Sequence, residues 1–154
     1  MTNQTIICRT IGEYTNNLTR GKSYQVIEIN GEKELIRIIC DLGRHRWFPQ
    51  YYFNLDGTGV VSFISWTFDD EVTVDPTVTN WIEISLEMSD GSKRWCMLYT
   101  PERLLNVFKQ PNIDPPGMHL KHMIIVRSYT VGDVQWTLTS LEQQDELMKA
   151  TLSC

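Results

Sequence analysis

The sequence predicts an α+β fold: a small β-barrel over residues 1–55, an acidic strand and connector over 56–80, and a β-β-α-β-α-β sandwich over 81–154. Three observations carry that expectation. Short apolar runs separated by Gly, Asn, Asp and Pro crowd the first third of the chain, as closely spaced strands joined by tight turns do. Helix-start signals stand further on, at Thr100-Pro101 and at Thr130 to Asp133. Apolar residues make up 42% and charged ones 21% of the 154 residues, which is enough to bury a core and too apolar for intrinsic disorder.

Thr5 to Arg9 is the first apolar run. A polar stretch from Thr15 to Gly21 leads into Tyr24 to Ile29, and Asn30-Gly31 follows. Asn-Gly between two apolar runs predicts a type I′ hairpin turn, because both residues tolerate positive φ. The partner strand is Leu35 to Cys40. Asp41 to Gly43 then turns the chain into Arg44 to Phe48, and Pro49 ends that run before Tyr51 to Phe53.

These residues also carry a resemblance. Leu18, Thr19, Gly21, Lys22 and Tyr24, then Asp41 and Gly43, then Trp47-Phe48-Pro49 and a closing Phe53 resemble, in type and order, the SH3-like barrel modules of many uncharacterised bacterial and phage proteins. The similarity covers about a third of the chain and rests on the order of its motifs. It implies a barrel with Trp47 and Phe53 in its core, and it implies no reaction. The aromatic motif of the eukaryotic SH3 peptide groove has no residue-by-residue match here.

Asp56 to Gly59 reads as a turn, Val60 to Phe68 alternates as a strand, and the polar stretch beyond it reads as a connector where the two halves join. Trp81 to Met88 alternates with period two, Asp90-Gly91 turns the chain, and Lys93 to Tyr99 returns. Thr100 can cap a helix and Pro101 suits its first position. Leu104, Leu105, Val107 and Phe108 give that helix an apolar face before Pro111 ends it, and residues 112–117 form a loop. Leu120 to Ser128 holds the continuous run Met123 to Val126, which predicts a central strand covered on both faces. Thr130 and Asp133 have capping-box spacing, with Asp in place of Glu. Behind them Val134, Leu138 and Leu141 share one helical stripe, which breaks at Asp145, and Glu146 to Leu152 ends the fold as an edge strand.

Catalytic chemistry finds little support. Cys8, Cys40, Cys96 and Cys154 include no C-x-x-C pair, and three of them sit in apolar runs where cysteine acts as a small core hydrophobe. Cys40 and His45 flank one turn, but apolar neighbours bury the thiol and leave it inert. His119 and His122 lie three apart, which in a strand sends their rings to opposite faces, and no acidic residue or cysteine close by completes a metal site. The expectation is therefore no enzyme, no cofactor and no metal. The absence of a basic-then-apolar start and of a long apolar run predicts a cytoplasmic protein.

Charge is the most informative asymmetry. Lys and Arg number 14 against 19 Asp and Glu, a net charge of −5, which disfavours bulk nucleic-acid binding. Residues 1–55 hold 7 basic and 5 acidic groups, residues 56–100 hold 2 and 8, and residues 101–154 hold 5 and 6. The excess is thus concentrated in one segment. Asp69, Asp70, Glu71 and Asp75 form its densest run, lacking the order of a calcium loop and suited to docking a basic protein partner. The function expected is a non-enzymatic binding module, such as an immunity or inhibitor protein that neutralises a basic toxin or effector. The alternative is a nucleic-acid or nucleotide-binding module of phage or host-defence type, with Arg44 and Arg46 on phosphates and Trp47 stacking on a base. Strand alternation limits it: Arg44, Arg46 and Phe48 share one face, while His45 and Trp47 share the other.

Overall fold

The residue pattern resolves, in a computed structural model that describes residues 3–73, 78, 80–111 and 121–154, into ten strands in two sheets with three α-helices among the described residues. The chain divides into two compact units, one of Met1–Val60 with Gln143–Asp145 and one of Val61–Glu142 with Glu146–Cys154.

In the first unit the strands are β1 (Thr5–Cys8), β2 (Ser23–Asn30), β3 (Leu35–Ile39), β4 (His45–Pro49) and β5 (Phe53–Asn54). Their order is β4-β3-β2-β1-β5, each neighbour antiparallel. Alternation places Ile6, Val26, Ile36, Ile38 and Phe48 on the inner face, all of them almost fully buried. The expected closed barrel is not formed, because β4 and β5 do not pair among the described residues and the sheet stays open. The 3-10 turn Gln50–Tyr52 follows β4 at once, and β5 is two residues long, too short for a closing ladder. Rings fill the interior instead: Phe48 lies 4.9 Å from Tyr14 and 6.3 Å from Phe53, both edge-on. Trp47, expected in the core, is half-buried, and its neighbour Phe48 takes the interior place with none of its surface exposed. The β2–β3 turn also departs from expectation. It spans four residues, Gly31 to Glu34, with positive φ at Glu34 rather than at Asn30 and Gly31. Asn30 Oδ1 accepts the Lys33 N–H at 3.1 Å, so the asparagine closes the turn through its side chain.

The second unit contains β6 (Phe63–Phe68), β7 (Ile82–Met88), β8 (Lys93–Tyr99), α1 (Pro101–Phe108), β9 (Met123–Ile125), α2 (Val131–Gln143), α3 (Leu147–Ala150) and β10 (Leu152–Ser153). The sheet runs β10-β8-β7-β6, and β9 lies parallel to β8. The β7–β8 hairpin closes as expected at Asp90-Gly91, with Gly91 at φ +84 and Asp90 accepting from the Ser92 N–H at 2.9 Å. Ile84, Leu86, Cys96 and Leu98 of the sheet share a core with Val134 and Leu138 of α2.

Three expectations for this unit are corrected. β9 is a short strand with β8 as its partner rather than a doubly covered central one, and its Ile125 is exposed. Residues 147–150 form the helical turn α3, with only Leu152 and Ser153 extended along β8. The apolar residues of α1 do not make a buried face: Leu105 and Phe108 are exposed, and the helix buries Arg103 instead.

Candidate functional site

The acidic segment begins where β6 ends, and its first two carboxylates are engaged by β7. Asp69 continues the ladder through its N–H to Glu83 O at 2.9 Å, and its carboxylate accepts from Ser85 Oγ at 2.9 and 2.7 Å. Asp70 Oδ2 accepts the Glu83 N–H at 2.9 Å. These bonds satisfy donors at the sheet end, which is why Asp and not an apolar residue follows Phe68. Glu71 is exposed. Asp75 lies outside the described residues.

Beside them opens a cavity of about 450 Å³ lined by Asp70, Glu71, Thr73, Val78, Asn80, Trp81, Ile82 and Arg103. Arg103 is the residue that sequence reasoning missed. Thr100 caps α1, accepting the Arg103 N–H at 3.3 Å, and so fixes the backbone that carries the guanidinium inward. Its Nη1 donates to Asn80 O at 2.9 Å, its Nη2 donates to Thr73 O at 3.2 Å and Thr73 Oγ1 at 3.3 Å, and its Cζ lies 4.7 Å from the Tyr129 ring centre. The sequence signal was weak: a cation in the first turn opposes the helix dipole, a small penalty that solvent screens and that does not by itself imply burial.

The basic hairpin is divided between two faces, as strand alternation requires. Arg46 lies over the Tyr14 ring at 5.0 Å and donates to Asn17 Oδ1 at 3.2 Å, so its charge is held on the Phe48 side. Trp47 faces the other way, with Arg37 as its cross-strand partner, while Arg44 and His45 are exposed near the turn. The structure therefore does not bring Arg46 and Trp47 together. Arg37 stands opposite Trp47 in the strand register, and its guanidinium pairs with Glu28 at 3.5 Å.

The motif residues of the first unit converge on Asp41. Its carboxylate accepts from Lys22 Nζ at 2.6 Å, Thr19 Oγ1 at 2.7 Å and the Tyr24 hydroxyl at 2.9 Å, and the same hydroxyl accepts the Thr19 N–H at 2.9 Å. Partial burial acts to raise the Asp41 carboxyl, but the bonds from Lys22, Thr19 and Tyr24 prevail and hold it below its ordinary value. Burial, reinforced by the Asp41 hydrogen bond, pushes the Tyr24 phenol upward. Gly21, at φ +85, donates to Cys8 O at 2.7 Å and returns the chain into β2, a conformation that a side chain would strain. Leu18 and Phe53 are buried in the core of this unit. The spacing that carries the resemblance is thus a folding device: it ties the loop before β2 to the turn after β3.

Cys8, Cys40 and Cys96 are buried, and burial pushes the Cys8 and Cys96 thiols up to about 12, away from nucleophilic thiolate. Cys40 Sγ donates to Asn17 Oδ1 at 3.6 Å. His122 sits at the entrance to β9 with φ +60, its carbonyl accepting from the Met97 N–H and its buried Nδ1 without a hydrogen-bond partner. His119 lies outside the described residues. Among the described residues no three His, Cys, Asp or Glu side chains cluster to hold a metal ion, and no helix is long and apolar enough to cross a membrane. Comparison with protein-family models, with curated proteins and with solved structures finds no match for the chain.

Proposed function

We propose that the chain is a non-enzymatic, cytoplasmic protein-binding module that docks a basic partner on its acidic segment, in the manner of an immunity or inhibitor protein that neutralises a toxin or effector. The observation that carries this reading is the concentration of charge: residues 56–100 hold 8 acidic groups against 2 basic ones, in a chain whose total charge is −5. Asp69, Asp70 and Glu71 are exposed where β6 meets β7, where two of them are held by the sheet and present a fixed negative surface. The first unit, with its antiparallel strands and Asp41-centred loop, is read as an SH3-like module that serves as scaffold. The test is association with the product of the neighbouring gene, comparing wild type with the triple variant Asp69→Asn, Asp70→Asn, Glu71→Gln. Slower association by a variant whose melt shows that it remains folded supports the reading. Equal association overturns it.

One observation favours a second reading. Trp47 is half-buried, and Arg37 stands directly opposite it in the register, its guanidinium also reaching Glu28, so a ring and a cation lie on one face as a phage- or host-defence-related module for single-stranded nucleic acid would use them. Binding of labelled RNA or DNA that survives the triple variant and is lost in Trp47→Ala or Arg37→Ala would replace the first reading with this one.

A further inference from the structure

The cavity beside β7 sets opposite charges on its walls without joining them. Arg103 is 8% exposed, and its acceptors, Asn80 O, Thr73 O and Thr73 Oγ1, are all neutral. Among the described residues no ion pair links it to Asp70, Glu71 or any other carboxylate. A buried cation without a counter-charge is costly, and the Tyr129 ring offsets only part of that cost. Arg103 also lies in the first turn of α1, where the helix terminus adds positive potential of its own. A guanidinium has five N–H donors, so three bonds to neutral acceptors leave its charge unmatched and donors to spare in a residue that lines the cavity. Asp70 uses Oδ2 for the Glu83 N–H and keeps its other oxygen, while Glu71 is exposed.

The volume, about 450 Å³, falls in the range of small-molecule sites. A phosphate would gain from Arg103 and be repelled by the two carboxylates. A simple amine would meet the reverse. A ligand carrying both charges gains from both signs, and Val78, Ile82 and the 39%-exposed indole of Trp81 give the lining an apolar part for a side chain. We propose that this cavity binds a free α-amino acid with an apolar or aromatic side chain, its carboxylate on Arg103 and its ammonium toward Asp70 and Glu71. The proposal goes beyond the protein-docking reading and requires no protein partner.

The test is calorimetric titration of the full chain with L-phenylalanine and L-leucine. Matched titrations use 3-phenylpropionate, which lacks the amine, 2-phenylethylamine, which lacks the carboxylate, and inorganic phosphate. The expected result is saturable one-to-one binding of an amino acid, with each singly charged analogue weaker by about tenfold or more. Arg103→Gln should abolish binding. Glu71→Gln, at an exposed position that leaves the fold intact, should weaken the amino acid and narrow its advantage over 3-phenylpropionate. That second variant keeps the test decisive if Arg103→Gln does not fold. Absence of saturation by both amino acids, preference for phosphate, or affinity unchanged in Glu71→Gln overturns the proposal. Asp69 does not line the cavity, so Asp69→Asn should slow protein association without touching amino-acid affinity, and the two readings therefore fail separately.

Discussion

Phe48 and Trp47 are adjacent aromatic residues with opposite fates, and the pleat of β4 decides between them. Phe48 is fully buried against Tyr14 and Phe53, so Phe48→Ala should cost about 3–5 kcal/mol of stability. Trp47→Ala, from a half-buried position, should cost about 1 kcal/mol. Urea denaturation followed by circular dichroism checks both, and equal losses would show that the two rings share the core. Asp41 gives a second prediction at this scale. Its folded carboxyl is held below the ordinary 3.8, so its contribution is present above that value and lost as pH falls through the folded one. Asp41→Asn should therefore destabilise the first unit at neutral pH, by about 1–3 kcal/mol for the three bonds weakened. The gap from wild type should close below about pH 4, read as the difference in urea midpoints across a pH series.

Among elements, α2 shows how a sequence signal becomes a structural one. Thr130 Oγ1 accepts the Asp133 N–H at 3.2 Å, as its capping-box spacing predicts. Asp133 does not return the bond to the Thr130 N–H, which donates instead to Ser128 Oγ at 3.3 Å. The aspartate is one methylene shorter than glutamate and turns to Arg127, whose Nε and Nη2 reach it at 3.1 and 2.6 Å, and to the Ser128 hydroxyl. The Arg127 and Ser128 bonds bring the Asp133 carboxyl from 3.8 down to about 2. Because that value is depressed in the folded state, the contribution is complete above about pH 4 and disappears between 3.8 and about 2. Asp133→Asn should remove that part of the acid sensitivity, which thermal melts across the same interval would show. Thr130→Ala should lower stability by about 1 kcal/mol at neutral pH, through loss of the cap.

For the whole molecule, the concentration of 8 acidic groups within residues 56–100 makes association kinetics the telling measurement. Long-range attraction to a basic partner is screened over about 8 Å at physiological salt. The on-rate should fall by about tenfold or more between low and high salt, with little change in the off-rate. Stopped-flow or surface-plasmon measurements at several ionic strengths distinguish this from a salt-independent on-rate, which would count against electrostatic steering.

Local physics was legible in the residues. Alternation set which face of β2, β3 and β7 is buried, Asp90-Gly91 set a hairpin, Thr100-Pro101 set the start of α1, and apolar neighbours marked three cysteines as core. All of these depend on contacts within a few residues, where backbone sterics and side-chain period suffice. What only the tertiary structure decided involves residues far apart in the chain. The open edge between β4 and β5 depends on how much ladder two distant strands can form, and the choice of Phe48 over Trp47 depends on which ring meets Tyr14. The exposure of Ile125 depends on β9 having β8 as its neighbour and on what covers each of its faces. The cavity is the clearest case, because Asp70, Trp81 and Arg103 belong to three separate stretches of sequence. Arg103 stands among apolar residues on a helix whose pattern predicted a buried Leu and Phe face. Only Thr73, Asn80 and Tyr129, arriving from elsewhere with neutral acceptors and a ring, offset part of the cost of burying that cation.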